Sequence, residues 1–313
     1  MLREQQKKAL TAMESGKNVF LSGEAGTGKS YVLKQFIERN RNKNIVICAP
    51  TGIAALNIGG VTLHRAFKVP IAPLPYTMEG KYSDVIAEAE IIIIDEISMS
   101  RADLFEYVTK SIFEAEKVSE KHKQLIVIGD FFQLPPVLTE RDKKVLPELS
   151  GNGFAFTAPS WQEFDFVTVV LSDVVRQLDI QFVNALNGVR SGDKASINWV
   201  NSHTSVQENT QAVYLCGTNR QAQEINKKQI DKLKGKSTVY TATIEGTVLS
   251  SDKPTSDKLY LKSGARIMTL TNTKEYRNGS ICLKSSICSP LWALNQPIRL
   301  LERCSHRGRS WAV

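Results

Sequence analysis

Gly23-Glu24-Ala25-Gly26-Thr27-Gly28-Lys29-Ser30 fits the phosphate-binding pattern G-x-x-x-x-G-K-[ST] at every fixed position. The chemistry of such a run is anion binding. The glycines let backbone N–H groups close on phosphate oxygens, and a following helix N-terminus adds its dipole. Gly23, Gly26, Thr27 and Gly28 would form the cradle. Lys29 would reach the β- and γ-phosphates, and the Ser30 hydroxyl would ligate Mg²⁺. ATP and Mg²⁺ are therefore the expected substrate and metal.

Two further runs suit the same chemistry. Ile91-Ile92-Ile93-Ile94-Asp95-Glu96 reads as a buried strand ending in two acids, and ligands bind at such strand ends in open α/β sheets. Asp95 would hold Mg²⁺ directly or through a water. Glu96 would orient and deprotonate the attacking water. In Val127-Ile128-Gly129-Asp130-Phe131-Phe132-Gln133-Leu134-Pro135-Pro136-Val137, a strand ends at Gly129 and a neutral amide, Gln133, precedes a rigid Pro-Pro. Such an amide can touch both water and γ-phosphate without adding charge. Ala49-Pro50-Thr51-Gly52-Ile53-Ala54-Ala55 opens a helix at Thr51 and Gly52, which suits a nucleic-acid phosphate, and His64 follows in Thr62-Leu63-His64.

These residues require a parallel sheet. Val19–Leu21, Ile45–Ala49, Ile91–Ile94 and Leu125–Ile128 are short runs apolar on both faces, with helical patterns between them. This is the alternation of a doubly wound α/β sheet, a P-loop NTPase. A second set, Val167–Leu171, Val213–Cys216 and Ala265–Leu270, surrounds helical patterns at Ile180–Val189 and Gln221–Leu233. The expected organisation is a first domain over 1–170, a second over 171–279 and an atypical tail over 280–313. A Pro-bearing excursion at about 66–84 (Pro70, Pro73, Pro75) interrupts the first domain and is expected at the surface.

Composition excludes little but points one way. The 313 residues are 42% hydrophobic and 23% charged, with a net charge of +8 and a pI near 9.1. That balance favours a polyanionic partner such as nucleic acid. Half of the excess lies in the tail, where Lys284, Arg299, Arg303, Arg307 and Arg309 face only Glu302. Met1–Lys8 does not read as a signal peptide, and no apolar run approaches the roughly 20 residues of a membrane span. Cys48 and Cys216 sit in apolar runs and are expected to be buried thiols. Cys282, Cys288 and Cys304 crowd the tail, and none of the five shows metal-ligand spacing. A reducing compartment fits: cytoplasm with the nucleoid in a bacterium, nucleus or mitochondrion in a eukaryote.

Taken together, GEAGTGKS, APTGIAA with TLH, IIIIDEISM, GDFFQLPPV and LSDVVRQLDIQFVNALNGVRSGD closely resemble the petite-integration-frequency, or PIF-type, DNA helicases, relatives of the RecD helicases in superfamily one, branch B. GDFFQLPPV and the VxRQ-to-LNxxRxGD run discriminate most, since a generic ATPase shares only the phosphate loop and the acid pair. The resemblance covers about residues 2–279. It implies two RecA-like domains, the second incomplete here. It makes Gln6, in Leu2-x-x-x-Gln6-x-x-x-Leu10, the adenine-reading glutamine, with neighbouring Gln5 competing for that register. It makes Lys29 and Ser30 the phosphate and Mg²⁺ contacts, Asp95 the metal ligand, Glu96 the catalytic base and Gln133 the γ-phosphate sensor. Arg176 becomes an arginine finger in cis. Thr51, Gly52, His64, Thr218 and Asn219 become single-strand contacts. The excursion at 66–84 matches the strand-separating wedge in place, with Phe67 and Tyr76 offered for stacking on bases.

The implied activity is ATP-driven translocation on single-stranded DNA, 5′ to 3′, acting at junctions or forks, as a monomer and without a membrane. After Gly279 the chain departs from the family pattern. The strand, DNA contact and final arginine expected there do not appear, and Cys, Ser and Arg abound to Val313. The expectation is an out-of-frame or truncated tail, which translation of the coding DNA in the other two frames checks. The alternatives are a remnant that binds ATP without unwinding, and a phosphate-loop ATPase acting on protein.

Overall fold

Four successive isoleucines, Ile91–Ile94, set the architecture. Each is β-branched and fully or nearly fully buried, so the strand that they form must be covered on both faces. Ile92 and Ile94 pack into one apolar layer and Ile91 and Ile93 into the other. Burial at about 2 kcal/mol per side chain makes this strand a strong organiser of the fold.

The computed structural model describes residues 2–70, 74–138, 140–146, 153–175, 177, 179–204, 213–242, 256–268 and 281–283. The chain divides into two compact units, Met1–Ser205 and Val206–Val313. In the first, strands β1 (Val19–Gly23), β2 (Ile45–Ala49), β3 (Val61–Thr62), β4 (Ile91–Ile94), β5 (Gln124–Gly129) and β6 (Val167–Leu171) form one sheet in the order β3-β2-β4-β5-β1-β6. Every ladder in it is parallel. The helices of this unit are α1 (Glu4–Glu14), α2 (Lys29–Arg39), α3 (Gly52–Asn57), α4 (Leu63–Ala66), α5 (Asp84–Glu88), α6 (Ala102–Ser119), α7 (Glu140–Val145), α8 (Ser160–Glu163), α9 (Ile180–Arg190) and α10 (Lys194–Ser202).

The helices that cover the sheet follow from apolar spacing. In α1 Leu10 and Met13, and in α2 Val32, Leu33 and Phe36, are buried in the layer that also holds Leu21, Ile91, Ile93, Ile126 and Ile128. In α6, Phe105, Val108, Ile112 and Ala115 recur at helical spacing and bury into the opposite layer, with Cys48, Ile92, Ile94 and Val127. Cys48 is the buried thiol that its apolar strand requires, and burial pushes its pKa up to about 12.

The register brings the chemical residues to one edge. Ser22 pairs with Gly129 across β1 and β5, and Ile94 with Val127 across β4 and β5. The loop after β1, the acids after β4 and the Asp130 turn after β5 therefore emerge side by side at the carboxyl ends of adjacent strands.

Two groupings read from the sequence need correction. Val167–Leu171 belongs to the first sheet, where it pairs in parallel with β1, Gly23 opposite Leu171. Its alternation of exposed and half-buried residues is that of an edge strand, a pattern that apolar content alone does not reveal. Val213–Cys216 is not a strand. Val213, Tyr214 and Leu215 are exposed and Cys216 is half-buried, so the run lacks the ladder its β-propensity suggested. In the second unit the described elements are α11 (Asn219–Lys232) and the strands β7 (Thr238–Thr241), β8 (Lys258–Leu261), β9 (Arg266–Met268) and β10 (Ile281–Leu283). These strands pair antiparallel, β7 with β8 and β9 with β10. The run after Leu283, with Cys288 and Cys304, lies outside the described residues. No helix among those described is long and apolar enough to cross a membrane.

Candidate active site

The loop between β1 and α2 is shaped by its glycines. Gly28, the N-cap of α2, has φ +91, a left-handed conformation. A Cβ there would lie 2.5 Å from Gln6 Nε2. At Gly23 the strand of Leu171 approaches so closely that a Cβ would sit 2.5 Å from the Leu171 carbonyl oxygen. Thr27 is buried and donates through Oγ1 to the Glu24 carbonyl at 2.9 Å. Lys29 Nζ donates to the carbonyls of Gly23 at 2.7 Å and Glu24 at 3.0 Å. Its ammonium therefore lies within the loop, as a phosphate-binding lysine requires. Ser30, one residue into α2, is exposed.

The electrostatics converge on Lys29. Burial lowers its pKa, the charges of Asp130, Glu96 and Asp95 oppose that, and Arg190 adds to the lowering. Asp95 is 8% exposed. Burial pushes its pKa up to about 6, the Glu96 charge adds to this, and the Glu96 N–H bond and Lys29 work against it. The Glu96 N–H donates to Asp95 Oδ1 at 2.9 Å. Glu96 itself is half-buried with φ +54 and ψ 42. A non-glycine residue held in that region costs on the order of 1 kcal/mol or more, a strain that clusters at functional positions.

The turn after β5 is a hydrogen-bonded unit centred on Asp130, which is 1% exposed. Its Oδ1 accepts from the Phe132 N–H at 3.1 Å, its Oδ2 accepts from Gln133 Nε2 at 3.2 Å, and its carbonyl accepts from the Gln133 N–H at 2.9 Å. Phe131 anchors the turn by packing on Phe20, Phe154, Phe156 and Trp161, with ring centroids 4.7–5.8 Å apart. Phe132 faces outward, 68% exposed. The two phenylalanines of GDFFQ thus have different tasks, one holding the turn and one on its surface.

Gln6 and Gln5 separate cleanly. Gln6 is buried, accepts from the Arg3 N–H through Oε1 and donates from Nε2 to the Thr27 carbonyl at 3.1 Å. Gln5 instead binds the segment after β6, accepting from the Ser172 N–H at 2.8 Å. Gln6 is the glutamine of the two that touches the phosphate loop. Arg176 lies outside the described residues. Its neighbour Val175 donates its N–H to the Gly26 carbonyl at 2.8 Å.

The chain that carries this arrangement matches a known family and several solved structures. The family model described as PIF1-like helicase matches residues 1–202. The chain belongs to the PIF1-like helicase family. It is 31% identical over 299 residues to the ATP-dependent DNA helicase Pif1 of Campylobacter jejuni, covering 84% of this chain and 64% of that one. It is 33% identical to human ATP-dependent DNA helicase PIF1, covering 87% of this chain and 44% of that one. The chain thus spans less than two thirds of the length of these relatives. Among solved structures, Bacteroides Pif1 with ADP-AlF3 and single-stranded DNA matches with a TM-score of 0.75 and 30% identity, over 92% of this chain and 71% of that one. The Bacteroides protein bound to single-stranded DNA gives a TM-score of 0.76 at the same identity and coverages of 92% and 70%. The parallel RecA-like sheet with flanking helices is the fold of those Pif1 structures.

The nucleic-acid positions expected from the sequence fall in both units, most of them at helix starts. Thr51 caps α3, accepting from the Ala54 N–H at 3.3 Å, and Gly52 begins that helix with open space where a Cβ would project. His64 is half-buried in α4. In the second unit Thr218 caps α11, accepting from the Gln221 N–H at 3.3 Å. Asn219 is the first residue of that helix, and its side chain is not described.

Phe67 requires correction. It is completely buried, ending α4 inside the apolar layer under α6, and no base can stack on it. Among its described residues, the excursion that contains it turns several apolar side chains inward. Val69 and Leu74 are buried, and Tyr76, Met78 and Tyr82 pack on the same layer. Ser83 Oγ donates to the Ala66 carbonyl at 2.9 Å, and Lys110 of α6 binds the Tyr76 carbonyl. Pro73 lies outside the described residues.

The sequence reading left Arg190 without a role. The last residue of α9, it donates to Asp130 through Nη2 at 2.8 Å and Nε at 3.2 Å, and its Nη1 stands 3.5 Å from Glu24 Oε1. Its guanidinium also lies 4.4 Å from the centroid of the Phe132 ring. The LNxxRxGD pattern carried the signal. Gly188 sits where a Cβ would overlap Ser196, Gly192 has φ +80, and Asp193 caps α10 by accepting from the Ser196 N–H at 2.8 Å. The pattern therefore folds a tight turn just behind Arg190.

Proposed function

We propose that this chain is the motor of an ATP-dependent DNA helicase, coupling ATP hydrolysis to movement along single-stranded DNA. One observation carries the reading: Lys29, Asp95, Glu96 and the Asp130–Gln133 turn converge at the carboxyl ends of three adjacent strands in a PIF1-like fold. Relatives named as ATP-dependent DNA helicases, and a solved relative that binds ADP-AlF3 and single-stranded DNA, support it.

The residues divide the work. Backbone N–H groups of Gly26–Ser30 and the Lys29 ammonium would bind the phosphates, with Gln6 beside Thr27 reading the adenine. Glu96 would take the proton of the attacking water, and Gln133 would hold that water against the γ-phosphate. Mg²⁺ fits the oxygen donors here. Ser30 and Asp95 would hold it, and a neighbouring dication would favour the ionised Asp95 that burial otherwise opposes. Mg²⁺ when bound neutralises charge on the phosphates. Arg176 would stabilise charge on the γ-phosphate.

The second domain expected over 171–279 is proposed to begin later, near residue 206, because β6 belongs to the first sheet and α9 and α10 to the first compact unit. Thr51, Gly52, His64, Thr218 and Asn219 would follow the DNA backbone, the +8 charge supplying long-range attraction. Forked DNA is the proposed substrate, with 5′-to-3′ polarity and a monomeric motor. A solved relative with a TM-score of 0.77 is described as unwinding forked double-stranded DNA through two coordinating Pif1 helicases.

The test is strand release from a fluorescent fork. ATP-dependent release from a 5′-tailed fork, with none from a 3′-tailed duplex, is expected. ATP binding with no release from either substrate would contradict the helicase reading.

A further inference from the structure

Asp130 is a buried carboxylate, and a buried carboxylate needs partners that keep it ionised and fixed. Arg190 meets it with two parallel N–H···O bonds, the bidentate geometry in which arginine is strongest and which lysine cannot reproduce. One face of the guanidinium is covered by Phe132. A third nitrogen faces Glu24 of the phosphate loop. A single side chain on α9 therefore joins two loops of the nucleotide site.

Asp130 Oδ2 accepts from both Arg190 Nε and Gln133 Nε2. An ionised carboxylate only accepts hydrogen bonds, so it must face the NH₂ end of the Gln133 amide. The amide carbonyl then points away from the carboxylate, and one N–H remains for another acceptor. That orientation suits a group that must accept from a water and donate to a phosphate. Were Asp130 free to rotate, the amide could present either end.

We propose that Arg190 is a positioning residue for γ-phosphate recognition: through Asp130 it fixes which end of the Gln133 amide meets the nucleotide, and through Glu24 it ties that choice to the phosphate loop. The inference rests on the ATP reading above and deepens it. Its signature is discrimination between triphosphate and diphosphate, since only the triphosphate carries the group that Gln133 reads.

The experiment measures equilibrium binding of ATPγS and of ADP, with magnesium, to the full chain. Arg190→Gln is expected to lower the preference for ATPγS over ADP by about tenfold while ADP affinity changes little, the loss of one charge-assisted contact. Arg190→Lys should restore part of it. Arg190→Gln combined with Gln133→Ala should be no worse than Gln133→Ala alone, because both act on the same amide. Asp193→Ala, which uncaps α10 behind the same turn, should lower the melting temperature and leave the preference unchanged. An Arg190→Gln variant that melts lower but keeps the preference, or whose effect adds to that of Gln133→Ala, would overturn the inference. Failure of the unsubstituted chain to bind either nucleotide would defeat the ATP reading, and this inference with it.

Discussion

The turns after β1, β4 and β5 and the excursion at 66–84 lie in the same unit and were both marked by the sequence for ligand contact. They use their side chains differently. In the turns, Lys29, Asp95, Glu96 and Gln133 converge, and the buried groups among them are held by named hydrogen bonds. In the excursion, Phe67, Val69 and Leu74 are spent on the core, and Tyr76, Met78 and Tyr82 cover α6. Chemistry gathers where the backbone is constrained by strand ends and glycines. An aromatic residue in an irregular segment is as apt to be a packing residue as a ligand platform.

The sharpest way to test the first half of that contrast is Glu96→Gln. It keeps the shape of the half-buried side chain and removes the base, so hydrolysis should fall by about 10²–10⁴-fold with nucleotide binding retained. A matching loss of binding would place Glu96 among structural residues. The second half is tested by Phe67→Ala, which should destabilise the chain by about 3–5 kcal/mol as a core truncation. Urea unfolding measures this. DNA affinity lost with no change in unfolding midpoint would return Phe67 to the DNA surface.

These contrasts also mark what the sequence could disclose. The four central strands, the phosphate loop and the acid pair were legible because apolar runs and fixed-spacing motifs report directly on buried strands and their ends. The edge strand Val167–Leu171 was grouped with the second set of strands, because an exposed edge lacks the two-sided apolar signature and its partner is distant in sequence. Phe67 was misread because a four-residue helix gives too short a pattern to reveal a buried face. Arg190 lay in a motif that identified the family, yet its partners, Asp130 and Glu24, are 60 and 166 residues away, and no local pattern announces them.

Smaller effects sharpen the picture. Thr51→Ala removes the cap of α3 and should cost about 1 kcal/mol. If Thr51 also contacts DNA, single-strand affinity should fall by more than that loss explains, and fluorescence anisotropy at two salt concentrations checks it. The smallest effect is one of pH. Burial would raise the pKa of Asp130, but the bonds from Arg190, Phe132 and Gln133 and the Arg190 charge hold it below the usual carboxylate value. Its folded pKa is depressed, so its contribution is complete above the unfolded pKa and is lost as pH falls through the lower folded value. As pH falls below the ordinary aspartate range, the stability advantage of the unsubstituted chain over Arg190→Gln should therefore shrink. An advantage that is constant with pH would show that the pair is not coupled to protonation.

The central claim is that the convergent loops form a DNA-stimulated ATPase. Steady-state ATP hydrolysis with and without single-stranded DNA, alongside Lys29→Ala, tests it most directly. The account predicts that DNA raises the rate and that Lys29→Ala abolishes it under both conditions. A rate indifferent to DNA, or one that survives Lys29→Ala, would contradict it.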